Sequence, residues 1–401
     1  MKKQADDFAI LGGPRLYAAL LPVGQINIPE WEHFETLASG IFDRRCYSDH
    51  GILAQDFENK LCRLLDVPHA VTVTNATIGL CLALKALGLE PGDTVVVPAF
   101  TFAATVQALT WAGLEPAFCD VDPHTHNITA QTVAPVLDTP GVKAILGVHL
   151  WGNPCDLAGL EALARDREVP LLFDAAHAIG CTYGGRNAAA FGACSVFSFH
   201  ATKILSATEG GCIATHDDRI AERIRAMRGD YGRHENVPIP VTASARFSEM
   251  QAAFGLLSLE DFPKNCADNE RRMRLYGEGL RDVPGMRFLS PAPGERHNYQ
   301  YVVLEIEEQA FGLSRDELVR VLEAENIQVR RYFVPGMHRC VPYKTQFPHY
   351  VDALPVTDAL CHRVMQTPSG QCVTDEDIAA ICGLIRFIQI HASGMKKRLA
   401  A

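Results

Sequence analysis

Residues 171–211, LLFDAAHAIGCTYGGRNAAAFGACSVFSFHATKILSATEGG, decide how this chain is read. The stretch opens on an apolar run, Pro170 to Phe173, which reads as a buried strand of a parallel sheet. That strand delivers Asp174 at its carboxyl end, the edge at which open α/β sheets bind ligands. A second apolar run, Ser195 to Phe199, reads the same way and delivers His200, Thr202 and Lys203, followed by Glu209-Gly210-Gly211. An acid and a lysine therefore arrive at one sheet edge from two strands.

In most proteins a buried aspartate and a buried lysine simply form an internal ion pair. One chemistry requires both groups without pairing them. Pyridoxal 5'-phosphate (PLP) needs a lysine amine for its Schiff base and a carboxylate facing its ring nitrogen. The carboxylate keeps the ring protonated, so that it accepts the electrons of a substrate carbanion; the lysine, once displaced, is a free base for the α proton.

Phe173-Asp174-Ala175-Ala176-His177-Ala178, then Phe197-Ser198-Phe199-His200-Ala201-Thr202-Lys203, then Glu209-Gly210-Gly211 resemble the DegT/DnrJ/EryC1/StrS family of sugar aminotransferases. The motifs keep the family's order, and the resemblance runs from Gly12 to about Ile378. It implies an α/β chain of the type I PLP-dependent transferase fold. An entry segment and a large domain, residues 1–262, would carry a mainly parallel seven-stranded sheet sandwiched by helices. Residues 263–401 would form a smaller α+β domain.

The resemblance also implies a homodimer with its active site at the interface, PLP held by Lys203 and opposed by Asp174, and pyridoxamine phosphate as the alternate form. The amino donor would be L-glutamate and the acceptor a nucleotide-linked keto sugar, most nearly the C4 ketone of a dTDP-4-keto-6-deoxyhexose. A C3-keto sugar, a cyclitol or an aromatic precursor ring stays open. Relatives that dehydrate or deoxygenate the sugar carry histidine in place of the lysine, so Lys203 favours transfer. A non-catalytic PLP-binding regulator is disfavoured by Asp174, Ser198 and Lys203 occurring together.

At 401 residues the chain exceeds one ordinary domain, and its 48% hydrophobic and 21% charged content is that of a soluble globular enzyme. A formal charge of −10 speaks against nucleic acid as a bulk partner, though not against a nucleotide-linked small molecule. The thirteen cysteines are scattered without a CxxC pair, the pattern of reduced buried thiols and not of a zinc site, which implies no metal and a cytoplasmic location. No apolar segment after the N-terminal lysines reads as a signal, and none elsewhere reads as a membrane span.

The other candidate residues fall on strand ends and turns. Val71 to Val73 reads as a strand that turns through Thr74-Asn75-Ala76-Thr77 into an apolar helix. Such a helix start is either an ordinary N-cap by Thr74 or Asn75 or an anion site. The resemblance makes it the phosphate cradle, at Ala76 and Thr77. It also lays Phe102 on the cofactor ring, places His177 near the ring's phenolic oxygen and gives Ser198 a bond to the phosphate. His149 reads equally as a pocket residue or a buried one.

Residues 230–241 read as a long loop. Ser244 stands where the family usually offers an asparagine to the partner's phosphate. Phe247 to Leu259 and Asn265 to Arg281 read as two helices, and Tyr299 to Glu305 as a strand. Ser314 and Glu317 form a capping box opening a helix to Ala324, and Gln328 to Phe333 reads as a strand. From that strand and the turn after it, Arg331, Tyr332 and His338 are substrate-side candidates, arginine being suited to a carboxylate or diphosphate. The alternative is that these arginines make surface pairs.

Overall fold

In the computed structural model, which describes residues 2, 4–48, 50–229 and 242–399, the apolar runs of the first half form one seven-stranded sheet. Its strands are β1 (His69–Val73), β2 (Thr94–Pro98), β3 (Glu115–Cys119), β4 (Val142–Val148) and β5 (Leu171–Asp174). After a two-stranded ribbon of β6 (Thr182–Tyr183) and β7 (Arg186–Asn187) come β8 (Cys194–Ser198) and β9 (Gly211–Thr215). The spatial order is β1-β9-β8-β5-β4-β2-β3, and only β9 runs against the rest.

Both faces are covered, which is why these strands read as continuous apolar runs. Side chains alternate across the sheet: Val95 and Val97 enter one core with Leu172 and Val196, while Val96 enters another with Phe173 and Ile145. One consequence positions the site. The carboxyl ends of β1, β5 and β8 lie at the same edge, with the start of β9 between β1 and β8 (Val73 and Ser198 both register on Gly211).

The two helices expected on either side of residue 262 are one. Glu249–Gly279 is a single helix of 31 residues, opened by a Ser248 and Gln251 capping box, that runs without a break through Phe262 and Pro263. A proline inside a helix costs about 3 kcal/mol and normally ends it. Here each half is buried in a different core: Ala252 and Leu256 against Phe57 and Phe247, Tyr276 against Leu318 and Ile385.

The second half builds a four-stranded antiparallel sheet from β10 (Met286–Phe288), β11 (Val302–Ile306), β12 (Arg330–Arg331) and β13 (Val364–Thr367), in the order β10-β11-β13-β12. The capping box of Ser314 and Glu317 is present and opens Arg315–Ala324. The strand expected over residues 328–333 pairs for only two residues. Beyond it Phe333 leaves the sheet to stack on Trp151 at 5.6 Å and to meet Phe100 edge-on at 5.1 Å.

The entry segment, grouped with the large sheet in the sequence reading, sends Phe8 and Leu21 into the second core beside Val319 and Ile327. Two isolated apolar residues do not say which core they join. The loop expected over 230–241 lies outside the described residues.

Candidate active site

An open cleft of about 230 Å3 lies at the edge where β1, β5 and β8 end. Ala76, Thr77, Phe102, Asp174, His177, Ser198, Lys203 and Tyr332 all line it. The geometry thus brings together eight residues that the sequence drew from five segments.

Asp174 is the last residue of β5 and is buried. Its Oδ2 accepts from Thr105 Oγ1 at 2.7 Å and its Oδ1 from the Ala176 N–H at 3.1 Å. Thr101 lies behind Thr105, hydroxyl to hydroxyl at 3.0 Å. Burial raises the Asp174 carboxyl above its ordinary value, and these two hydrogen bonds with the charge of Lys203 oppose the rise.

Lys203 sits in the turn after β8, where its N–H bonds the His200 carbonyl at 2.9 Å. Its Nζ reaches Tyr301 Oη at 2.9 Å. Burial lowers its pKa to about 8, against the opposing pull of Tyr332 and Asp174. The amine is therefore protonated below about pH 8 and nucleophilic above it. Its reaction with an aldehyde in the cofactor-free protein is expected to rise with pH and level off above about 8, while ordinary lysines keep rising past pH 10. Peptide mapping after borohydride trapping across a pH series reads this directly.

At the end of β1, Asn75 caps the helix Ala76–Ala86 by accepting from the Ile78 N–H at 2.9 Å. The ordinary N-cap and the anion site thus coexist: the cap takes Ile78, and Ala76 and Thr77 line the cleft. Behind them passes Gly211, where a Cβ would fall 2.8 Å from Ala76 N and 2.8 Å from Phe197 O. Only glycine lets β9 approach the helix start so closely.

Phe102 presents a half-open ring to the cleft, 57% exposed, and not a core contact. His177 is buried with Nδ1 accepting from the Trp151 N–H at 3.3 Å, its ring 4.4 Å from that of Tyr301. Burial, then the nearby Lys203, holds it well below the ordinary histidine value, so it is neutral.

Four predicted residues do not line the cleft. Ser244 is exposed and away from the cleft of its own chain. His149 is the buried alternative, packed 4.5 Å from Phe173. His338 is buried with Nε2 3.1 Å from Asp358 Oδ1. Arg331 is exposed, 3.8 Å from Asp316, which is the surface pair weighed against it. Arg330 lines the cleft instead, its Nη1 donating to Tyr332 Oη at 3.2 Å. Neighbouring strand residues point to opposite faces, so two adjacent arginines on β12 cannot share the cleft.

Thr105 and Tyr301 were also missed. Each lies inside an apolar segment, and no spacing marks it. Among the described residues no cluster of His, Cys, Asp and Glu could hold a metal, and no single helix is long and apolar enough to cross a membrane.

The fold and this site define a PLP-dependent aminotransferase of the type I fold. The residues fit the cofactor: a cradle that a Cβ at Gly211 would fill, a buried carboxylate and a half-buried lysine open to one cleft. The chain belongs to the DegT/DnrJ/EryC1/StrS aminotransferase family, whose model matches residues 32–386. It is 35% identical over 314 residues to the dTDP-4-amino-4,6-dideoxy-D-glucose transaminase of Shigella dysenteriae, covering 78% of this chain and 84% of that one. Over 342 residues it is 34% identical to the GDP-perosamine synthase of Caulobacter vibrioides, covering 84% and 90%. Among solved structures, DesI in the presence of its TDP-sugar product superposes with a TM-score of 0.94 at 38% identity, covering 99% of this chain and all of the other.

Proposed function

We propose that this enzyme moves the amino group of L-glutamate to the C4 ketone of a dTDP-4-keto-6-deoxyhexose, as a cytoplasmic homodimer in which Ser244 of one copy reaches the other's cleft. The reading rests above all on one cleft lined by a half-buried lysine, a buried aspartate and Arg330. The names of its relatives support the nucleotide-linked sugar, and the Shigella enzyme's name supports position 4.

The chain's residues divide the work. The N–H groups of Ala76 and Thr77 with the Ser198 hydroxyl would hold the phosphate of PLP, and Phe102 would cover its ring. Lys203 would supply the amine for the covalent link. Asp174 would offer its carboxylate to the ring nitrogen, with Thr105 fixing the carboxylate's plane. When bound, PLP supplies an electron sink for the carbanion made at the donor's α carbon. Lys203 would take the proton from the donor's α carbon and pass it to the cofactor in the first half, and in the second half would carry one back from the cofactor to the sugar carbon. Arg330, steadied by Tyr332, holds the anionic part of donor or acceptor.

Two results test the assignments of Arg330 and of the cradle. Arg330→Ala is expected to raise a substrate KM roughly tenfold to a hundredfold, while Arg331→Ala leaves it within twofold. Equal effects would remove Arg330 from the binding role. Gly211→Ala is expected to weaken PLP retention by a similar factor, read by dialysis, because the cradle must shift to admit the Cβ.

The function itself is tested by visible absorption. The long-wavelength band of the PLP-loaded protein should bleach with glutamate and return with a dTDP-4-keto-6-deoxyhexose. Return with a 3-keto isomer alone would move the reaction to C3, and a band indifferent to amino acids would end the transfer reading.

A further inference from the structure

We infer that Tyr301 is the positioning residue for the catalytic amine: its hydroxyl holds Lys203 Nζ, and the segment 298–301 of the small domain sets where that amine stands across the cleft. The inference rests on the role given to Lys203 above.

The observations are a set of short bonds that converge on two places. Tyr301 Oη lies 2.9 Å from Lys203 Nζ. One residue earlier, Gln300 Oε1 accepts from the N–H of Ile204, the residue after the lysine, at 3.2 Å. Gln300 Nε2 donates to the His177 carbonyl at 2.7 Å, and Asn298 Nδ2 donates to the same carbonyl at 2.9 Å and to Ile179 O at 3.1 Å. The Gln300 carbonyl is held in turn by Gln25 Nε2 at 2.9 Å. All of these side chains but that of Lys203 are buried below one tenth exposure. One short segment therefore grips the lysine at its amine and at its backbone, and the loop that follows Asp174 at a carbonyl.

A lysine stem has four rotatable bonds, and an amine without a fixed partner spreads over many rotamers. The Tyr301 ring is immobilised between His177, at 4.4 Å, and Trp151, at 5.7 Å. Its hydroxyl is thus a fixed point for a mobile amine. Burial raises the phenol above its ordinary value, so it keeps its proton. It can accept from the ammonium form and donate to the free amine in turn. The other titratable groups facing Nζ are Asp174 and His177 from the β5 side and Arg330 and Tyr332 from the β12 side, with His200 and Glu209 on the cleft rim.

Tyr301→Phe removes one oxygen and keeps the ring. The test first follows capture of PLP by the cofactor-free protein against pH, with the adduct mapped to Lys203. An accepted hydrogen bond stabilises the ammonium more than the amine, so the variant's midpoint should fall by about one pH unit from the wild type's. Substitution of 3-fluorotyrosine at position 301, a weaker acceptor of unchanged shape, should move it part of the way. In the loaded enzyme kcat should fall roughly tenfold, KM values should stay within twofold, and the isotope effect of α-deuterated glutamate should increase. A capture profile superimposed on the wild type's, or an unchanged kcat, overturns the inference. Wild-type protein that captures PLP elsewhere than on Lys203 overturns instead the functional reading beneath it.

Discussion

Lys203→Ala is expected to lower amino transfer by about 10^4-fold or more, since in the proposed mechanism it removes both the covalent anchor and the base that serves the donor's α carbon. The loss should fall on kcat. The phosphate cradle at Ala76 and Thr77, the Asp174 carboxylate and the Phe102 ring are untouched, so PLP should still enter the cleft and be retained without a bond. Borohydride would then fix no cofactor to the protein. Added methylamine should restore a small part of the activity by supplying a free amine to the space vacated. Turnover by Lys203→Ala within tenfold of the wild type would contradict the role given to this residue.

Asp174→Asn carries the second largest expected effect, a loss on the order of 10^2- to 10^3-fold in kcat. Asparagine fits the same space and can still meet Thr105 and the Ala176 N–H, but it brings no charge to the ring nitrogen. The sign of the stability change distinguishes this from damage to the fold. Burial raises the Asp174 carboxyl, so the folded protein favours the protonated form more than the unfolded chain does. Its contribution to stability is therefore best below the unfolded value of 3.8 and declines as pH rises through the folded value. A neutral asparagine relieves that cost at pH 7. The cofactor-free variant should melt no lower than the wild type while being far less active. Loss of the carboxylate also removes a charge that favours the Lys203 ammonium, so aldehyde capture by Lys203 should move to lower pH.

The central sheet and the acid–lysine pair were legible because one physical rule covers them. A parallel strand buried on both faces is written as a continuous apolar run, and the residue that ends the run stands at the ligand edge. Asp174 follows from it directly and Lys203 from the turn after the second run, whereas Ser198 was given its role by the family resemblance; strand ends in this sheet came out within about two residues. Register in the small domain was not legible. With β12 only two residues long there is no alternation to count, and nothing in Arg330-Arg331 says which guanidinium turns inward. Thr105 and Tyr301 were hidden for another reason: their roles come from partners 69 and 98 residues away, so no local pattern records them. The gap read between the helices Phe247 to Leu259 and Asn265 to Arg281 is helical too, because the cost of Pro263 inside the helix is offset by burial of both halves.

That unbroken helix bears on how relatives of this enzyme can be recombined. The chain beyond this helix supplies Arg330, Tyr332 and Tyr301 to the cleft, so, given the binding role proposed for Arg330, exchanging that part between homologues is a route to a new acceptor. A crossover near residue 262 would cut the 31-residue helix midway, joining a first half shaped to Phe57 and Phe247 to a second half shaped by another parent. Moving the junction to either end does not help, since each end then carries residues fitted to the wrong core. Chimaeras should instead keep the helix of the parent that gives the sheet and repack its second half, at Met273 and Tyr276, to suit the incoming part.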